Sequence, residues 1–233
     1  MCIAILKTKD VTLSDWVFSN SFAWHPDGAG FIVHDEIDNS LTMKKGFFTL
    51  EGFMDAFDKY NSNKYTAVIH FRKSTHGRKN RENCHPFMVN DNLGFVHNGV
   101  IRSVKLYNKE MSDTWHFCES IMRPLVDEYP DIWTSPTMRF LIEEFISGYS
   151  KLVFLSNEGE YEIYNEDKGI WDDGCWFSND TYKYDPKNID VLAGNKKAFE
   201  RVWENHKLTK ADKDKTMLVY YAEMQGLLKA QTA

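Results

Sequence analysis

A cysteine stands directly after the initiator methionine, at position 2 of the 233-residue chain. Its small side chain permits removal of Met1 by methionine aminopeptidase, which would leave Cys2 with both a thiol and a free α-amine. An α-amine has a pKa of about 8, close enough to neutrality to accept the thiol proton. The position predicts an N-terminal nucleophile; a buried strand cysteine is the alternative interpretation, because an apolar run follows.

Four short motifs follow Cys2 in a fixed order. They read H-F-R-K-S-T-H-G at residues 70–77, N-C-H-P at residues 83–86, H-N-G-V-I at residues 97–101 and S-D-T at residues 112–114. Each is weak alone, since Asn-Gly is a common turn dipeptide and Ser-Asp-Thr often begins a helix. Their order behind an N-terminal cysteine is what indicates a functional site.

In these motifs the chain resembles the class II glutamine amidotransferase domains, which are N-terminal nucleophile hydrolases. The pattern of that family is an N-terminal Cys, then H-x-R-x-x-T-x-G, N-x-H-P, H-N-G-x-I and an S-D-T-like acidic motif. All five elements occur here in order, and residues 27–30 also resemble the D-G-x-G segment of smaller stand-alone members. The resemblance covers residues 2–180 and implies an α+β fold, a four-layer αββα sandwich.

The residue types in the motifs suit free glutamine, which presents an α-carboxylate, an α-ammonium and a terminal amide. Arg72 would pair with the carboxylate through its guanidinium fork, and Asp113 would receive the ammonium. The Asn98 side chain and the Gly99 backbone N–H would stabilise the oxyanion that forms when the Cys2 sulfur attacks the amide carbon.

Two further residues of the H-x-R-x-x-T-x-G segment are expected at the substrate. Thr75 would add a hydroxyl contact near the α-carboxylate, and His76 would line the pocket. The segment also departs from the family, because Lys73 stands where synthase members often carry Trp. That aromatic residue is associated with pocket closure and ammonia gating, so the lysine affects gating rather than thioester chemistry.

The resemblance implies a glutaminase reaction without a metal or organic cofactor. Thiolate attack would release ammonia and leave a γ-glutamyl thioester on Cys2, which water would hydrolyse to glutamate. The ammonia is expected to pass to a separate acceptor enzyme, because residues 190–233 are too short to be one. The alternatives are a stand-alone hydrolase of a γ-glutamyl or related small amide, and a catalytically silent binding module of the same fold.

The remaining histidines and cysteines do not indicate a metal site. His76, His85 and His97 fall in three loops without i, i+4 spacing. The resemblance makes His85 and His97 residues that order loops by hydrogen-bonding neighbouring backbone. The four cysteines are far apart and form no C-x-x-C motif. This cysteine usage, with no cationic and apolar leader, predicts a cytoplasmic protein.

Composition narrows the class of partner. The net charge is −6, which gives no support to general nucleic-acid binding, and no apolar stretch approaches the length of a membrane span.

Hydrophobic periodicity predicts helices at residues 50–60, 114–129 and 136–147, with Pro124 kinking or dividing the second. The strands are predicted at residues 2–6, 30–34, 65–71, 94–96, 151–155, 161–164 and 175–177.

A change in character near residue 189 predicts two parts. Residues 2–189 carry the strands and motifs and form the amidotransferase-like domain. Residues 190–233 are predicted to form a helical extension packed on that domain, with helices near residues 196–205 and 210–229.

Overall fold

Two antiparallel sheets form the centre of the part of the chain that the computed structural model describes, residues 2–75 and 77–183. The strands are β1 (Ile3–Lys7), β2 (Ala29–Asp35), β3 (Ser40–Phe47), β4 (Thr66–Phe71), β5 (Phe87–Asn90), β6 (Leu93–Asn98), β7 (Lys151–Ser156), β8 (Tyr161–Tyr164), β9 (Ile170–Asp172) and β10 (Cys175–Phe177). The strands of the first sheet run in the spatial order β3-β2-β4-β1-β10-β9 and those of the second in the order β5-β6-β7-β8.

Helices cover the outer face of each sheet. They are α1 (Asp15–Trp24), α2 (Leu50–Phe57), α3 (Asp113–Phe117), α4 (Arg123–Glu128) and α5 (Pro136–Ile146). Helices α1 and α2 share one apolar cluster with the first sheet, and α3 to α5 share another with the second sheet. A third cluster lies between the sheets. The described residues therefore have the predicted αββα layer order.

Strand β1 shows why the sequence gives this arrangement. Ile3 and Ile5 pack in the cluster beneath α1 and α2, whereas Ala4 and Leu6 pack in the cluster between the sheets. Successive strand side chains point to opposite faces, so a strand buried on both faces needs a continuous apolar run. The apolar run after Cys2 is such a strand.

The helix that contains Pro124 is divided, as the sequence predicts. Helix α3 passes into a π-helical turn over Cys118–Met122, and α4 follows with Pro124 in its first turn. Proline has no backbone N–H and clashes with the carbonyl four residues earlier, which is tolerable where a new helical segment begins.

Several elements were not predicted from the sequence. Helix α1 is missing from the prediction because it buries Ser19, Asn20 and Ser21 along with its aromatic residues, so it has no amphipathic pattern. Strand β3 contains two lysines and a glycine and lies partly exposed at a sheet edge. Strands β5 and β9 are only four and three residues long.

The predicted helical extension at residues 190–233 lies outside the described residues, as does His76. Within residues 2–75 and 77–183, no helix has the length and apolar character needed to cross a membrane.

Candidate active site

The pairing of β1 with β4 brings Cys2 next to Arg72. Ile3 lies opposite Phe71 in this antiparallel pair, so the residues one step further out along each strand are neighbours. The backbone N–H of Lys73 donates to the Cys2 sulfur at 3.2 Å, and the sulfur lies 3.4 Å from the Lys73 carbonyl oxygen. Cys2 is 9% exposed. The sulfur is therefore held by backbone at the end of β1, an inner strand of the first sheet.

The surroundings of the Cys2 thiol act on its pKa in opposite directions. Burial raises the pKa and is the largest influence, whereas the Lys73 N–H and the Arg72 charge lower it and the Asp113 charge raises it. The net effect is a raised pKa, so the thiol is protonated at neutral pH. A nucleophile here requires a base that removes the proton, which is the role expected of an α-amine.

Arg72 is anchored by the segment that contains the D-G-x-G sequence. Its backbone N–H donates to the Gly28 carbonyl at 2.8 Å, and its carbonyl accepts from the Asp27 N–H at 2.9 Å. The guanidinium is buried, with Nη1 donating to the Arg78 carbonyl at 3.0 Å. The loop after β4 thus folds back over the arginine.

Asp27 fixes that same loop and had no role assigned from the sequence. Its carboxylate accepts from the Ser74 N–H at 2.8 Å and pairs with Lys79 at 2.6 Å. Burial alone would raise the pKa of Asp27, but the Lys79 ion pair and the Ser74 N–H hold it below its ordinary value. The D-G-x-G segment was the available signal for this residue.

Asn98 ends β6 in the second sheet and is linked to the strand of the nucleophile. Its Nδ2 donates to the Ser178 hydroxyl at 2.7 Å, and the same hydroxyl accepts from the Ala4 N–H at 2.9 Å. Asn179 donates from its side chain to the Cys2 carbonyl at 2.7 Å. Ser178 and Asn179 belong to no recognisable motif, so sequence reasoning missed both.

Gly99 leaves no room for a side chain. Its φ of +153° is unfavourable for other residues, and a Cβ there would lie 2.2 Å from Ser150 Oγ and 2.7 Å from Ser150 Cα. The backbone at this position therefore packs directly against Ser150.

Asp113 organises the turn that carries Asn98 and Gly99. Its carboxylate accepts from the Ile101 N–H at 2.6 Å and from the Thr114 N–H at 2.9 Å, and the residue is 7% exposed. A carboxylate offers about four acceptor positions, so capacity remains for a ligand ammonium.

Thr75, which was expected to contact the substrate, is exposed on the loop after Arg72.

Three buried histidines join the two sheets behind the site. His70 Nε2 lies 3.0 Å from the His97 carbonyl oxygen and 2.7 Å from His85 Nδ1, so this nitrogen carries the proton. His97 Nδ1 lies 2.8 Å from the Thr114 hydroxyl. Burial lowers the pKa of His97 to about 4 and those of His70 and His85 well below the ordinary range.

The expected roles of His85 and His97 need correction in detail. They were expected to hydrogen-bond neighbouring backbone, but their ring contacts go to side chains, and it is His70 that contacts a backbone carbonyl. Among the described residues, no group of three or more His, Cys, Asp or Glu side chains is placed to hold a metal ion.

Two proteins whose names refer to glutamine are similar to part of this chain. A Saccharomyces cerevisiae protein named glutamine–fructose-6-phosphate aminotransferase (isomerizing) is 32% identical over 83 residues, which span 32% of this chain and 32% of that protein. A Haemophilus influenzae protein named glutamine amidotransferase is 29% identical over 100 residues, 42% of this chain and 32% of that protein. The matches thus span about a third of the length of these relatives.

A solved structure also resembles the chain. It is the glutamine phosphoribosylpyrophosphate amidotransferase of B. subtilis in complex with ADP and GMP, with a TM-score of 0.44 and 13% identity over 76% of this chain and 41% of that one. No protein-family model matches the chain. The sequence relatives bear out the resemblance to glutamine amidotransferases.

Proposed function

We propose that this relative of the class II glutamine amidotransferases hydrolyses the side-chain amide of L-glutamine through a thioester on Cys2. One observation carries the proposal: the pairing of β1 with β4 places the buried Arg72 beside Cys2, and the buried Asp113 carboxylate fixes the turn after β6. A guanidinium pairs well with a carboxylate, and a carboxylate with spare acceptor positions can hold an ammonium. A zwitterionic amino acid with an amide at its far end uses all three groups.

The reaction divides into two steps at the sulfur. The Cys2 thiol loses its proton to the α-amine, the sulfur bonds to the amide carbon, and the C–N bond breaks as ammonia leaves with that proton. Water then attacks the thioester carbon, the C–S bond breaks, and glutamate leaves as the thiol is restored. Asn98 and Gly99 would donate to the oxyanion in both steps, where each lost donor typically costs about 3–4 kcal/mol.

The raised pKa of Cys2 is consistent with this division of roles. A thiolate that existed permanently would need no base, but a protonated thiol becomes a nucleophile only when a proton acceptor lies close by. Removal of Met1 is therefore part of the proposal, because an amide nitrogen at Cys2 could not accept the proton.

Substrate analogues test the assignment of the two charges. L-Glutamine is compared with 4-carbamoylbutanoate, which lacks the α-ammonium, and with 4-aminobutanamide, which lacks the α-carboxylate. We expect glutamate and ammonium from L-glutamine, no product with Cys2→Ala, and kcat/KM lower by about 100-fold for each analogue, as for a lost charge-assisted contact. The matched variant Cys84→Ala, at another buried cysteine, should stay active.

Two outcomes would favour the alternatives. Faster turnover of N-acetyl-L-glutamine than of L-glutamine would indicate a hydrolase of blocked γ-glutamyl amides. No turnover of any amide by a chain that begins at Cys2 would indicate a silent binding module.

The proposal includes a separate enzyme that receives the ammonia. The S. cerevisiae relative is named as an aminotransferase, and this chain matches only 32% of its length. Co-purification with Cys2→Ala, which should bind glutamine without consuming it, tests the partner; a stand-alone hydrolase would purify alone and release its ammonia to solution.

A further inference from the structure

One hydroxyl group connects the strand of the nucleophile to the side chain at the end of β6. Ser178 Oγ accepts from the Ala4 N–H at 2.9 Å and from Asn98 Nδ2 at 2.7 Å. Ala4 belongs to the first sheet and Asn98 to the second. Ser178 and Asn98 are 0% and 1% exposed, so these hydrogen bonds cross the interior between the sheets without competition from water.

Ser178 is itself firmly held on the side of the nucleophile. Its backbone N–H donates to the Ala4 carbonyl at 2.9 Å, so backbone and side chain both contact Ala4. The next residue, Asn179, donates to the Cys2 carbonyl at 2.7 Å. The segment after β10 is therefore bound to the strand that follows Cys2, and the Ser178 hydroxyl faces the second sheet from a fixed position.

The Asn98 amide depends on this contact for its orientation. Within the described residues, Asn98 Oδ1 is buried without a hydrogen-bond partner, and the side chain bonds through Nδ2 to Ser178. An amide nitrogen has two N–H bonds. When Ser178 accepts one, the direction of the second is set, and that second N–H is the one available to an oxyanion.

We propose that Ser178 is a positioning residue that sets the location of the Asn98 N–H relative to the Cys2 sulfur. This inference rests on the proposed function, since it concerns the oxyanion of the same reaction. An oxyanion donor is effective only when it is fixed before the charge develops. Ser178 fixes it by joining the donor to Ala4, two residues after Cys2 in the chain, through one oxygen atom.

The experiment compares Ser178→Ala with a matched control, Ser156→Ala. Ser156 is also a buried serine whose hydroxyl accepts two backbone N–H bonds, from Glu158 and Glu160, but it lies at the turn between β7 and β8. For each variant, kcat and KM for L-glutamine, the rate of Cys2 alkylation by iodoacetamide, and the thermal midpoint are measured.

We expect Ser178→Ala to lower kcat by about 10- to 100-fold, somewhat less than removal of a donor itself. KM should change less than about threefold, because Arg72 and Asp113 are untouched, and the alkylation rate, which needs no oxyanion donor, should stay near that of wild type. Ser156→Ala should keep the wild-type kcat at a similar thermal midpoint. Equal kcat values in the two variants, or parallel losses of kcat and alkylation, would overturn the inference.

Two further outcomes, a variant that does not fold and a wild type that makes no glutamate, also bear on the inference. If Ser178→Ala does not fold, Ser178→Cys keeps the volume and replaces the oxygen by a weak acceptor; kcat within twofold of wild type would then overturn the inference. A wild-type protein that alkylates at Cys2 yet produces no glutamate would refute the proposed function, and the inference with it.

Discussion

The backbone N–H of Lys73 donates to the sulfur of Cys2 at 3.2 Å, while the Lys73 side chain is exposed. The contact belongs to the backbone, so any residue at position 73 other than proline supplies it. The side chain that replaces the family's aromatic residue is therefore free of a direct role at the sulfur.

Replacement of the lysine side chain should accordingly leave the chemistry intact. We expect Lys73→Ala to retain kcat and KM for L-glutamine within about threefold, since surface substitutions away from special features are usually mild. Steady-state glutamate formation measures this. A loss of tenfold or more in kcat would show that the side chain, and not only the backbone, contributes to the reaction.

A substitution at Arg72 tests whether the fork shape of the guanidinium, and not its positive charge alone, is needed to recognise the substrate. Arg72→Lys keeps a positive charge but removes the fork that pairs with a carboxylate, and we expect kcat/KM for L-glutamine to fall by about 10- to 100-fold, mainly through KM. Arg139 is a matched control, since its Nη1 also donates to a backbone carbonyl, that of Ile163 at 2.8 Å. Arg139→Lys should leave KM unchanged; a KM for Arg72→Lys equal to that of wild type would contradict the assignment.

Because Gly99 packs closely against Ser150, one added methyl group at position 99 should strongly reduce both stability and turnover. Gly99→Ala places a Cβ 2.2 Å from Ser150 Oγ at a φ of +153°, so we expect a loss of about 2–3 kcal/mol in the free energy of unfolding, together with loss of turnover. Gly148→Ala is the control, because its Cβ would meet nothing within 4 Å. Urea unfolding measures both, and equal stability of the two variants would rule out the packing argument.

The buried histidines predict a loss of stability in mild acid. Burial lowers the pKa of His97 to about 4, whereas an unfolded histidine titrates near 6.5. The unfolded chain therefore binds more protons as the pH falls from about 6.5 towards 4, and stability that is complete above pH 6.5 is lost across this window. His97 alone accounts for roughly 3 kcal/mol, and His70 and His85 act in the same direction.

Urea unfolding at pH 7.5 and pH 5 measures this dependence. His97→Gln should reduce the difference in unfolding free energy between the two pH values, whereas Ser156→Ala, which removes no titrating group, should keep it. A wild-type free energy that is the same at both pH values would contradict the neutral, buried state of these histidines.

The sequence predicts the residues of the proposed site that would contact the substrate. Cys2, Arg72, Asn98 and Asp113 stand in short motifs, and the first three lie at the ends of strands whose largely apolar sequences predict them. The αββα order was predicted from the resemblance to the amidotransferase family, and strands buried on both faces, such as β1, agree with it.

The part that sequence did not predict consists of residues that act through tertiary pairing. Ser178 reaches Ala4 and Asn98 only because β10 pairs with β1 and the two sheets stack, and no local pattern encodes either event. His70 similarly acquires its contact with His97 across the sheets. Helix α1 was missed because polar residues are buried on it, where burial is decided by the rest of the fold.

Glutamine hydrolysis as proposed requires Cys2 to act as an N-terminal nucleophile in a glutamine site. The most direct measurement is an intact mass spectrum before and after incubation with 6-diazo-5-oxo-L-norleucine, a glutamine-shaped electrophile. Cys118→Ala serves as the control variant, because that buried thiol has a pKa raised by burial to about 12.

We predict a mass without Met1, then a single adduct that Cys2→Ala abolishes and Cys118→Ala retains. A retained Met1, or a processed chain that forms no adduct, would contradict the proposed glutamine hydrolysis.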